Sequence, residues 1–206
     1  MTGPDRSGGG GVPAGVVVLT DRRQALRPLV DVVRDAVTGG ARWVVLRERD
    51  LPRDVRLQLA DELRTVLATV GGTLVVAGPD PLGGDAVHLP AADSEPMSPE
   101  VRLVGRSCHN ADELSQLSGV DYVTLSPVFP TGSKPGYGPA LGTDGLAQLV
   151  RRTRTPVLAL GGITTPEQVT ACRAAGAGGV AVMGAVMRAG DPAALVGALL
   201  AAAVGR

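Results

Sequence analysis

Residues 156–186 read PVLALGGITTPEQVTACRAAGAGGVAVMGAV. A short apolar run, PVLALGG (156–162), leads into Thr165-Pro166-Glu167, where a capping hydroxyl precedes a proline at the first helical position. A helical pattern fills 165–175, and a second apolar run, GVAVMG, follows at 179–184. Two strand-length runs joined by a capped helix predict a parallel βα unit, because parallel strands need such a crossover. The rest of the chain repeats that unit, so its reading decides the fold.

Working outward, further candidate strands are GVVVLT (15–20), RWVVLR (42–47), TLVVAG (73–78), DAVHL (85–89), VRLVGR (101–106) and DYVTLS (121–126). Helical patterns lie near 26–38, 53–70, 111–117, 143–152 and 192–204, the last opened by Asp191-Pro192. Eight strands in a βα repeat predict an α/β fold, a single (β/α)8 TIM barrel, over an open doubly wound sheet. No GxGxxG follows the first strand to favour the latter. The third and fourth crossovers are short and rich in Pro and Gly, so their helices are expected to be abbreviated or missing. The barrel is assigned to 15–206, and the Gly-rich residues 1–14 read as a disordered tail.

Composition narrows the function. Aromatic residues make up 2 % of 206 residues and apolar residues 44 %, so the core has to be built from Val, Leu, Ala and Ile. Twenty basic residues balance twenty acidic ones, and with so few aromatics no nucleic-acid partner is expected. No apolar run is long enough for a membrane helix, and the start lacks a signal-peptide pattern. Cys108 and Cys172 offer no disulfide framework or zinc spacing, which suits a reducing cytoplasm.

A barrel carries its active site at the C-terminal strand ends. After strands seven and eight stand Gly161-Gly162 and Met183-Gly184-Ala185, the latter opening a short helical stretch, AVMRAG. Backbone amides there can approach a phosphate closely, and a tight turn without ligand is the plainer alternative. At the second strand end, Val45, Arg47 and Arg49 share one face while Glu48 points the other way. The arginines suit phosphate or carboxylate; a surface Arg–Glu–Arg–Asp network is the alternative. Strand five ends in Ser107-Cys108-His109-Asn110, where His109 is a candidate general acid–base or a structural hydrogen-bonder. His88, between Val87 and Leu89, reads as wall support.

The sixth strand runs into SPVFPTGSKPGYGPALG (126–142), with four Pro, four Gly and the only Phe. Thr131, Ser133 and Lys134 offer two hydroxyls and a cation to an oxyanion, and a closing lid is expected.

VLRERD (45–50), VHLPAAD (87–93), GRSCH (105–109), DYVTLSPVFPTGSK (121–134), PVLALGGI (156–163) and GVAVMGAV (179–186) together resemble the thiamine phosphate synthase and TenI-type thiazole tautomerase superfamily. The resemblance runs from about residue 16 to 190 in order and implies a (β/α)8 barrel. It implies a thiazole phosphate held at Gly161, Gly162, Met183 and Gly184, with Thr131 and Ser133 at the loop hydroxyl positions. It also implies Lys134, Arg47 and Ser107 on a pyrophosphate, and Asp93 as one Mg2+ ligand. The sequence departs where a synthase of this type carries Gln (here Val45), Lys (here Arg49) and an Asn-Asp pair (here Ala77-Gly78). One Asp without its partner is a poor Mg2+ site.

The expectation is therefore an enzyme acting on a small phosphorylated thiazole or a thiamine phosphate. A metal-independent thiazole tautomerase without cofactor comes first, with Arg47 or Arg49 on a carboxylate and His109 or Cys108 moving the proton. A divergent thiamine phosphate synthase, using Mg2+, is the alternative, and a non-catalytic thiamine-phosphate binder the third. A homo-oligomer is compatible with the Ala-rich end of the chain.

Overall fold

The computed structural model describes residues 11–92, 99–131 and 139–204. Eight parallel strands close into one barrel in chain order: β1 (Gly15–Leu19), β2 (Trp43–Leu46), β3 (Thr73–Ala77), β4 (Ala86–Leu89), β5 (Leu103–Cys108), β6 (Tyr122–Leu125), β7 (Val157–Leu160) and β8 (Gly179–Val182). The seam closes where β1 pairs with β8 in the register Gly15↔Gly179 to Val18↔Val182. The (β/α)8 expectation is met.

Alternation along each strand builds two cores. Val17, Leu19, Val45, Val75, Ala77, Tyr122, Leu158 and Ala181 point inward and fill the barrel. Their neighbours Val16, Val18, Val44, Leu46, Val76, Val180 and Val182 point outward onto the helices. Period two on strands thus feeds both layers, and each fully buried Val or Leu contributes about 1.5–3 kcal/mol. Trp43 packs against the inner cluster, which gives it a place in the barrel wall.

The helices follow their start signals. α1 (Leu29–Thr38) and α2 (Arg53–Ala68) each follow a proline, and α1 buries Leu29, Val32, Val33, Ala36 and Val37 at helical spacing. α3 (Ala111–Ser115) is capped by Asn110, and α4 spans Gly142–Val150. α5 (Pro166–Ala174) has a full capping box between Thr165 and Gln168. The four-residue α6 (Gly184–Met187) precedes α7 (Pro192–Ala203), whose Asp191 cap accepts from the Ala194 amide at 2.9 Å. At the seam α7 presses on the end of α1, where a Cβ at Gly39 would fall 2.3 Å from the Ala193 carbonyl oxygen.

The short crossovers carry no helix among the described residues, one of the two outcomes expected. The third, between β3 and β4, has turns and no helix, as Pro79, Pro81, Gly83 and Gly84 dictate, and the fourth has none among the described residues. The abbreviated helix is α3, in the fifth crossover. Residues 1–10, most of the expected tail, and 132–138, the middle of the expected lid with Ser133 and Lys134, lie outside the described residues, as does Asp93. Among the described residues no helix is long and apolar enough to cross a membrane.

Candidate functional site

A cavity of about 390 Å3 opens at the C-terminal mouth of the barrel. Its floor is apolar, from Val17, Val45, Ala77, Leu158 and Ala181, and its rim carries Arg47, Arg49 and Arg188. Among the described residues no Asp or Glu lines it. A larger groove of about 980 Å3 follows the third crossover on the outside, and Arg53 on its wall is paired with Asp80. That groove is off the strand ends, so the mouth is the candidate site.

The two readings of the second strand end apply to different residues. Glu48 is buried and turned away from the cavity, where Arg22 grips it at 3.0 Å. Arg22 also holds Asp50 through both nitrogens, at 2.8 and 2.6 Å, and Arg23 adds a third contact at 2.8 Å. The Arg22 hydrogen bond lowers the Asp50 carboxyl to about 2. This network ties the first βα loop to the second. Arg47, on the opposite face, sits over Val45 as alternation requires. Its amide donates to Thr20 Oγ1 at 2.9 Å, and Nη1 reaches the Met183 sulfur at 2.6 Å, so the side chain crosses above β1 to β8.

A polar string crosses the barrel beneath the arginines. His88 Nδ1 stands 3.1 Å from the Tyr122 hydroxyl, and Nε2 stands 3.0 Å from Ser107 Oγ and 3.4 Å from Thr124 Oγ1. Gly105 makes room for it: a Cβ there would lie 2.2 Å from Tyr122 Cζ and 2.5 Å from His88 Nδ1. The ring faces the cavity and is half-buried, and desolvation, helped by Arg47 and Arg106, pushes its pKa down to about 4. His88 is therefore neutral near pH 7, with one nitrogen donating and the other accepting. Burial, with Asp121 adding, raises the Tyr122 phenol further above its ordinary range.

The strand-seven turn packs onto the strand-six loop. Val128 and Phe129 amides donate to the Leu160 and Gly161 carbonyls at 2.9 and 3.0 Å, prolonging the β6–β7 pairing beyond the strands. Gly161 and Gly162 have φ of +102° and +69°, where a side chain is strained. There is also no room for one: a Cβ would meet Pro127 Cα at 2.8 Å or the Pro130 carbonyl at 2.6 Å. Gly161, Gly162, Thr131, Met183 and Gly184 all line the mouth beside Arg47, Arg49 and Ser107.

His109 is placed elsewhere. It is not on the cavity wall; its Nδ1 lies 3.0 Å from Glu113 Oε2, which also accepts the His109 amide at 2.7 Å. Together with the Asn110 cap this binds the start of α3. Cys108 is also buried away from the wall, and burial pushes its thiol up to about 11. The cavity groups that sequence reasoning did not select are Tyr122, Thr124 and Arg188, while His88, read as wall support, stands in the barrel wall facing the cavity. His88 had a readable signal, because its apolar neighbours Val87 and Leu89 form an outer cluster with Val104.

Mg2+ would need oxygen donors. Among the described residues no three His, Cys, Asp or Glu side chains come together. At the end of β3, Gly78 has φ +112° with open space where a side chain would project, and Arg56 Nη2 donates to the Ala77 carbonyl at 3.2 Å. These described residues do not fit a protein-held Mg2+.

The sequence profile of the family described as "Thiamine monophosphate synthase" matches residues 16–186. A thiamine-phosphate synthase of Roseiflexus castenholzii is 36% identical over 196 residues, covering 89% of this chain and 86% of that protein. One of Moorella thermoacetica is 32% identical over 189 residues, covering 86% and 90%. Among solved structures, thiamine phosphate pyrophosphorylase from Pyrococcus furiosus superposes with a TM-score of 0.80 at 26% identity, covering 93% of this chain and 98% of that one.

Proposed function

Because the chain belongs to the thiamine monophosphate synthase family, we propose that it is itself a thiamine-phosphate synthase. It joins the methylene carbon of hydroxymethylpyrimidine pyrophosphate to the ring nitrogen of a thiazole phosphate and releases pyrophosphate. The protein is an enzyme of the transferase kind, the second of the readings weighed from sequence.

The observation that carries this reading is the charge of the mouth, three guanidinium groups round an apolar floor with no carboxylate among the described lining residues. Two phosphorylated substrates bring several negative charges into that space, and guanidinium groups suit them. As the methylene carbon–oxygen bond breaks, the bonding pair leaves with pyrophosphate. Arg47 and Arg49 offset the charge that grows on it. The thiazole nitrogen then supplies its lone pair to the carbon. The amides at Gly161, Gly162 and Gly184, with Thr131 and Met183 beside them, hold the thiazole phosphate, and Ser107 donates to the pyrophosphate. No step is assigned to Mg2+. Lys134 and Ser133 keep the anion-binding roles expected from sequence.

The joining step moves no proton between carbon atoms, and among the described residues the cavity wall offers no group poised to do so. His88 is neutral and held on both sides. A tautomerase needs a base at the substrate, and neither His109 nor Cys108 lines the cavity. That argues for the transferase over the tautomerase.

The test is to incubate the purified protein with both substrates, with added Mg2+ and with chelator, and to measure pyrophosphate and thiamine phosphate. Equimolar formation of both supports the reading. Aromatisation of a non-aromatic thiazole isomer without pyrophosphate release overturns it.

A further inference from the structure

Arg188 adds to the charge of the mouth but has no role of its own in the steps above. It follows α6 directly and lines the mouth. Its guanidinium lies over Gly184 so closely that a Cβ there would be 2.5 Å from Nη1 and 2.8 Å from Nη2. Nη1 donates to Gln24 Oε1, from a residue 164 positions earlier in the chain. Gln24 is itself anchored, its Nε2 donating to Asp21 Oδ2 at 2.6 Å. The first βα loop thus holds the cation in place through a neutral amide, and among the described residues Arg188 makes no ion pair.

Arg47 arrives from the other side, its Nη1 on the Met183 sulfur. Two guanidinium groups therefore flank the consecutive residues Met183 and Gly184, one from β2 and one from α6, beside a wall without carboxylates among the described residues. Two like charges brought to one space repel, and the arrangement becomes favourable when substrate anions lie beside them, pyrophosphate at Arg47 and the thiazole phosphate at Arg188. One nitrogen of Arg188 is taken by Gln24, which leaves the other donors of its fork for phosphate oxygens.

We propose that Arg188, oriented by Gln24, is the specificity-determining residue by which this site selects a phosphate monoester dianion on the thiazole over the unphosphorylated alcohol. The proposal rests on the phosphate reading of the same site. It adds a side-chain cation to a subsite otherwise made of backbone amides and loop hydroxyls.

The test is calorimetric titration of the full chain with the thiazole phosphate, with inorganic phosphate and with the thiazole alcohol. It compares the wild type with Arg188→Met, Gln24→Ala and Gly184→Ala. Arg188→Met is expected to weaken thiazole phosphate roughly tenfold to a hundredfold and to leave the alcohol unchanged. Gln24→Ala and Gly184→Ala keep the charge but release or displace the guanidinium, and each is expected to give part of that loss. In steady-state assays the loss falls on KM for the thiazole phosphate and not on KM for the pyrimidine pyrophosphate. Binding of the phosphate by Arg188→Met within twofold of wild type, or an equal loss for phosphate and alcohol, overturns the proposal. A wild type that binds thiazole phosphate without forming product removes the synthase reading alone, and the binding comparison still decides Arg188. A wild type that binds no phosphate removes both.

Discussion

The Tyr122 hydroxyl lies 3.1 Å from His88 Nδ1 at the floor of the barrel mouth, in a space that exists because residue 105 is glycine. Tyr122 is fully buried and His88 partly so, and the hydroxyl depends on this ring nitrogen for its hydrogen bond. Tyr122→Phe leaves the ring in place and the His88 nitrogen without its partner. A loss of about 1–3 kcal/mol in urea unfolding is expected.

The same histidine makes stability depend on pH. Its pKa is about 4 in the folded chain and about 6.5 when unfolded, so between these values the unfolded chain binds more protons. The contribution of His88 is complete above pH 6.5 and is lost as pH falls towards 4, by roughly 3 kcal/mol at most. Unfolding midpoints measured across that window are expected to fall more steeply for wild type than for His88→Gln.

Arg47 and His109 separate the site from its surroundings. Arg47→Gln is expected to slow pyrophosphate release on the order of a hundredfold, the cost of removing one charge-stabilising donor. His109→Asn, altering a group bound to Glu113 outside the cavity, is expected to keep turnover within about threefold. Equal losses in the two variants would contradict the placement of the site.

Gly162→Ala sets a side chain into a φ of +69° with the Pro130 carbonyl 2.6 Å away. Backbone cannot yield as a side chain does, so about 1–3 kcal/mol of stability is expected to go. The strand-six loop should shift with it, raising KM for the thiazole phosphate.

The two thiols should be silent in the folded protein. Both cysteines are buried, and burial pushes each thiol up to about 11. A disulfide exchange reagent at pH 8 is expected to label neither until denaturant is added.

The barrel was legible because the strands alternate faces and the helices announce their starts, as Thr165-Pro166 and Asp191-Pro192 do. The glycines at the seventh and eighth strand ends and Arg47 were legible for the same reason, since the fold dictates where its mouth lies. The histidines were harder to place. His109 stood among polar residues and looked exposed to chemistry, whereas His88 between two valine-like neighbours looked structural. In a barrel strand the inward position is flanked by residues that face the helices, so an apolar setting marks the residue that lines the interior. Arg188 and Gln24 could not be paired from sequence, because only the closed barrel brings the first loop against the last strand end.

That closure also governs how the chain is made. β1 pairs with β2 early in the chain but with β8 only after the last quarter has formed, and α7 seals against the end of α1 at Gly39. During synthesis the first strand waits with one row of hydrogen-bonding groups open while its Val16–Leu19 run is apolar. The nascent chain is thus most prone to stick to its neighbours just before completion. Trimming residues 179–204 would leave a permanently sticky sheet rather than a smaller barrel.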